Sequence, residues 1–107
     1  MRSPTWYKIP IGKFKITYPS KISKYSYGMY YAKNGNIEIK RNLSHNIKAQ
    51  TIVHEIVHAL CTSKGFFKQK ERDVEMITES VVHFIKENPY IIKYIQSNDN
   101  SIIESIK

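Results

Sequence analysis

The chain has 107 residues and a mass of 12.6 kDa, a length that suits one small domain and excludes two packed ones. Hydrophobic residues at 41% and charged residues at 24% mark a globular chain and not a disordered one. No apolar run approaches the ~20 residues of a membrane-spanning helix, and the N-terminus MRSPTWYKIP has no apolar signal core, so a cytoplasmic protein with no membrane partner is expected. A single cysteine, Cys61, excludes an internal disulfide and a multi-cysteine zinc cluster, in keeping with a reducing compartment. So small a core supplies little net stability, and a bound metal would be a useful staple.

The net charge of +8 is divided unevenly. Residues 1–50 hold ten Lys and Arg against the single acid Glu38, whereas residues 51–107 hold seven against eight acids. The N-terminal half therefore offers a basic surface, either simply solvated or able to attract nucleic acid, an acidic protein or an anionic membrane.

In chain order, Lys13–Tyr18 alternates Phe14, Ile16 and Tyr18 with polar residues and stops at Pro19, the pattern of a strand. Gly28–Ala32 and Asn36–Lys40 flank Asn34-Gly35, the signal of a two-residue type I′ hairpin. That register sets Ala32 against Ile37 and Tyr30 against Ile39 as a core face. Tyr25, Tyr27, Met29 and Tyr31 then lie on the other face with Glu38 and Lys40. The tyrosines, with Lys33 and Lys40, can stack nucleobases or grip a peptide, or merely reflect β-propensity under cover from Trp6. A helix is expected from an N-cap at Ser44 to about Ser63, stopped by Gly65. Its apolar arc is Ile52, Val53, Ile56, Val57 and Leu60, with Thr51, His54, Glu55 and His58 on the flank. A second helix, about Lys70–Glu87, buries Val74, Ile77, Val81, Phe84 and Ile85 and ends at Asn88-Pro89. A short last helix over Tyr90–Ser97 packs Ile91, Ile92 and Ile95, and a polar tail frays from Asn98. The expected architecture is α+β in one domain over 1–107: a basic strand region 1–43 forming a short antiparallel sheet of about three strands, a helical region 44–97, and the tail 98–107.

The strongest helix contains His54-Glu55-Ile56-Val57-His58, the H-E-x-x-H pattern. Spacing i, i+4 puts two imidazoles one turn apart on one face, where both can ligate one zinc ion. Glu55 lies alongside and can take a proton from metal-activated water without being a ligand. A catalytic site of this type needs a third protein ligand and one open position. The second helix supplies Glu75, at the border of its buried stripe as His54 is on the first helix. Glu79, one turn on, is the alternative ligand or orients a ligand histidine. Cys61, one turn past His58, reads as a buried structural cysteine, and His45 and His83 as surface or capping residues.

Over residues 28–89 the chain resembles the gluzincins, in particular the small metallopeptidases of the ImmA/IrrE type found in phages and mobile elements. The resemblance rests on His54–His58 and on Glu75, seventeen residues after His58. It implies a zincin-like domain with Zn2+ as cofactor, His54, His58 and Glu75 as ligands, and Glu55 as general base. Thr78 and Glu79 stand where members often carry a small residue and an asparagine. The function expected is a zinc metallopeptidase cutting a protein or peptide, by analogy a regulatory one, aligned along an edge strand near Asn36–Lys40. Tyr30 and Tyr31 are both candidate oxyanion donors. The alternative is a non-enzymatic, zinc-stabilised binding module whose basic half takes nucleic acid or an acidic protein.

Overall fold

In a computed structural model, which describes residues 2–22 and 26–97, the period-two alternation of the N-terminal half becomes four strands. Tyr25 of the tyrosine stripe and the tail 98–107 lie outside the described residues. The strands are β1 (Trp6–Ile9), β2 (Gly12–Thr17), β3 (Gly28–Tyr30) and β4 (Ile37–Ile39). They form one sheet in the order β1-β2-β4-β3, with β2 and β4 parallel and the other two pairs antiparallel. The fold is α+β, but its sheet is mixed and has one strand more than the pattern predicts. Alternation marks a strand without naming its neighbour. Here the parallel pairing sets Ile16 beside Ile37, so that both are buried on the inner face. Tyr7, Ile9 and Ile39 complete that face, with Phe14 and Tyr30 packed against it.

The hairpin between β3 and β4 departs from the type I′ expectation. Its partners are Tyr30↔Ile37, Met29↔Glu38 and Gly28↔Ile39, a slip of two residues that keeps the paired side chains on their expected faces. The loop is longer because only Gly35 takes a positive φ, at +77°, whereas a type I′ turn needs two such residues. Tertiary contacts hold it. Gly35 lies under the Phe14 ring, its carbonyl accepts from the Tyr7 hydroxyl at 2.5 Å, and the Tyr31 carbonyl accepts from the Gly35 amide at 2.8 Å. Ala32 is consequently exposed and leaves the predicted core face.

The helices are α1 (His45–Ser63), α2 (Glu71–Glu87) and α3 (Pro89–Gln96). Ser44 caps α1, its hydroxyl accepting from the Ile47 amide at 3.4 Å, and Gly65 follows its end with φ +88°. Helix α1 lies across β3 and β4 on the inner face, and α2 packs on α1, making α1 the middle layer. Its buried residues are Thr51, Ile52, Glu55, Val57 and Ala59, so the predicted arc is rotated: Leu60 is exposed and Glu55 is buried. Two neighbours on opposite sides replace the single apolar stripe that one neighbour would select.

Helix α2 buries only Val74 and Thr78. Ile77, Val81, Phe84 and Ile85 are exposed, as are Ile91 and Ile95 of α3, which buries nothing fully. The predicted stripes thus stay mostly open, because α2 meets α1 but does not reach the sheet as α1 does.

Two substitutions test this packing. A Cβ at Gly28 would stand 2.8 Å from Thr51 Cγ2 and 3.2 Å from Glu55 Cγ, so Gly28→Ala should lower stability by about 1–3 kcal/mol in chemical denaturation. Thr78 is fully buried and its hydroxyl has no hydrogen-bond partner, so the near-isosteric Thr78→Val should raise stability by about 1 kcal/mol in the same assay.

Candidate metal centre

The H-E-x-x-H residues sit where the edge strand β3, α1 and α2 meet. His54 and His58 face α2 with centroids 5.0 Å apart, while Glu55 faces β3. Gly28 makes this approach possible, since its missing side chain leaves room for Glu55 and Thr51 against the strand.

The carboxylate that meets both imidazoles is Glu71, the first residue of α2. Its Oε2 is 3.0 Å from His54 Nε2 and its Oε1 is 2.7 Å from His58 Nε2. Together these three residues can hold a metal ion. Two imidazole nitrogens and a carboxylate oxygen are a donor set that catalytic zinc sites use. The other ring nitrogens are also engaged. Glu75 Oε2 lies 3.1 Å from His54 Nδ1, and Gln69 Oε1 lies 2.6 Å from His58 Nδ1. The Gln69 amide nitrogen donates to Thr62 Oγ1 and to the Phe66 carbonyl, which turns its oxygen toward His58.

Four acceptor atoms therefore face four ring nitrogens. A neutral imidazole carries one N–H, so two of the four contacts need extra positive charge. Two further protons supply it, and so does one divalent cation between the Nε2 atoms and Glu71. The Nδ1 contacts favour the tautomer whose Nε2 lone pair points at that position. Glu71 is 72% exposed, against 14% and 16% for the two histidines, so the imidazoles form the buried side of the cluster and the carboxylate its solvent side.

Glu55 is only 7% exposed. Burial pushes its carboxyl above the usual carboxylate range and the Glu71 charge adds to this, while His54, His58 and a hydrogen bond from the Tyr30 backbone act in the opposite sense. A cleft of about 510 Å³ opens beside it, lined on one side by Tyr27, Gly28 and Met29 and on the other by Thr51, His54, Glu71 and Glu75.

The structure thus brings His54, His58, Glu55 and Glu75 together. Glu75 meets the Nδ1 side of His54, opposite the Nε2 that faces Glu71, and Glu79 is exposed and lines no part of the cleft. Glu71 and Gln69 are the residues that spacing alone overlooked. The signal for Glu71 was present: it stands four residues before Glu75, as His54 stands four before His58, so the two pairs share matching helical faces. Gln69 had none, lying in the loop between the helices. Asn36–Lys40 is no edge, because β4 lies between β2 and β3; the free edge at the cleft is β3. Tyr31 faces away from the site, its hydroxyl donating to Glu38 at 2.6 Å. Cys61 is half-buried, and His83 and His45 are exposed. Comparison with protein-family models, curated proteins and solved structures finds no match.

The geometry predicts one divalent ion per chain, seen as intense d–d absorption on Co2+ titration. Glu71→Ala should weaken binding more than Glu75→Ala, and Glu79→Ala should leave it unchanged. Gln69→Ala should cost about tenfold, the scale of a lost orienting hydrogen bond, all measured by competition with a chelator.

Proposed function

We propose that the chain is a zinc-dependent peptidase in which His54, His58 and Glu71 hold the ion, Glu75 and Gln69 orient the histidines, and Glu55 is the general base. The observation that carries this reading is a two-histidine, one-carboxylate donor set placed beside a buried glutamate and an open strand edge. Zinc, when bound, supplies a Lewis acid that acidifies water and polarises a carbonyl.

The residues of the chain supply the remainder. Glu55 lines the cleft, and the Tyr30 backbone beside it favours its charged form. From there Glu55 can accept a proton from the attacking water and return it to the leaving amine. The Tyr31 amide donates to the Asn36 carbonyl and the Lys40 amide to the Tyr27 carbonyl on the β4 side, so Gly28 and Tyr30 turn their peptide groups to the free edge. The Gly28 carbonyl already accepts from Ser26 Oγ at 2.5 Å and the Tyr30 N–H is engaged by Glu55. An extended peptide laid along β3 would therefore pair with the Gly28 N–H and the Tyr30 carbonyl and pass the metal position. Recognition through an edge strand favours a peptide over other hydrolysable substrates, because the matching partner is another peptide backbone.

The test is digestion of a proteome-derived peptide library by the zinc-loaded protein, with products read by mass spectrometry. Glu55→Gln keeps shape and most hydrogen bonding but cannot accept a proton at neutral pH. It should retain one zinc and lose at least ~100-fold in cleavage, whereas His54→Ala should lose zinc and cleavage together. Undiminished cleavage by Glu55→Gln would overturn the general-base role. A zinc-loaded parent that cuts no peptide would overturn the peptidase.

A further inference from the structure

Helix α1 lies on the inner face of the sheet across β3 and β4, and α2 packs on α1, so among the described residues no helix packs on the opposite face. Cross-strand partners on that face are Trp6 with Lys15 and Lys8 with Lys13, followed by Thr17 beside Glu38 and Met29 opposite Glu38. Lys8, Lys13 and Lys15 are all exposed. Trp6 is 53% exposed, with Lys13 Nζ 4.2 Å from the centre of its ring. At the far strand Tyr31 is also exposed, and its hydroxyl ties up Glu38, the acid of these four strands. Beside it, Lys40 Nζ lies 5.9 Å from the Tyr27 ring.

Two features of this face are unfavourable in the isolated protein. Lys8 and Lys13 are like charges directly opposite in a ladder, and neighbouring Lys15 adds a third. A large indole stands in water rather than in the core. A ligand that combines repeated negative charge with planar apolar rings answers both. An acidic protein would answer the lysines alone, and a bilayer would meet Thr17 and Glu38 in the middle of the face. In a duplex the base faces are already stacked and out of reach. In a single strand they are free, and base stacking on exposed aromatics over a basic sheet is a common mode of binding.

We infer that the outer face of the sheet binds single-stranded nucleic acid, with Lys8, Lys13 and Lys15 on phosphates and Trp6 and Tyr31 under bases. The path from β1 to β3 crosses three strand spacings, about 14 Å, a length that a few nucleotides cover. This site is separate from the His54–His58–Glu71 cluster and does not depend on what that cluster does.

Trp6 is the single tryptophan of the chain, so its fluorescence reports on this face directly. The full chain is titrated with 12-nucleotide oligo-dT and oligo-U, a 12-base-pair duplex, polyglutamate and phosphatidylserine vesicles. Both single strands, or one of them, should quench Trp6; the two arms tell DNA from RNA. Neutralising three phosphates gives a slope of log K against log salt of about −2. By anisotropy of a labelled strand, Trp6→Ala should weaken binding about tenfold and Trp6→Phe should restore most of it. Lys13→Glu should weaken binding at least as much and flatten the salt slope, with melting curve and metal stoichiometry unchanged in each variant. Absence of quenching by either strand would overturn the inference. So would equal binding of duplex, polyglutamate or vesicles, or a folded Trp6→Ala that binds as the parent does.

Discussion

The excess of acceptors around His54 and His58 is the constraint on which this structure turns. Four oxygen atoms address four ring nitrogens, and neutral imidazoles have hydrogens for only two. Two further protons would satisfy the remaining contacts, and so would one divalent cation between the Nε2 atoms and Glu71. The parts of the fold that create this demand come from three stretches of chain: the middle of α1, the loop residue Gln69 and the first turns of α2. The loop is shaped for it. Gln69 spends its amide hydrogens on Thr62 and Phe66 and presents its oxygen to His58, so one side chain closes the loop and sets a tautomer.

A second constraint couples the helix to the sheet. Glu55 lies on the side of α1 that faces β3, where burial disfavours its charge and the Tyr30 backbone bond supports it. That position exists because residue 28 has no side chain. Gly28 therefore serves both packing and chemistry: it lets α1 approach the edge strand, and it leaves a peptide backbone, not a side chain, as the wall of the cleft. The weak burial of α2 beyond Thr78 follows from the same layering. With α1 in the middle, α2 packs mainly on α1 and only lightly on α3, and most of its apolar stripe stays in solvent.

The molecule separates its chemistry by layer. His54, His58, Glu71 and Glu75 gather between α1 and α2, while Lys8, Lys13 and Lys15 share the outer face of the sheet. Strand alternation is what divides the first half, since Tyr7, Ile9, Phe14 and Ile16 turn inward while Trp6, Lys8, Lys13 and Lys15 turn outward.

The sequence by itself determined the local features. Ser44 and Gly65 bound α1, Asn88-Pro89 separates α2 from α3, and the i, i+4 histidines share a face, because capping and helical spacing act over a few residues. The face of each strand was also legible, and it survived a two-residue slip of the hairpin because side-chain direction repeats every two residues. Three things were decided only in the tertiary structure. The turn lengthened because Gly35 packs under Phe14 and bonds Tyr7, both distant in sequence. The sheet became mixed because burying Ile16 beside Ile37 outweighs local connectivity. Glu71 rather than Glu75 came to face both Nε2 atoms because the return of the chain through Gln69 sets how far α2 slides along α1, and periodicity leaves that distance undetermined.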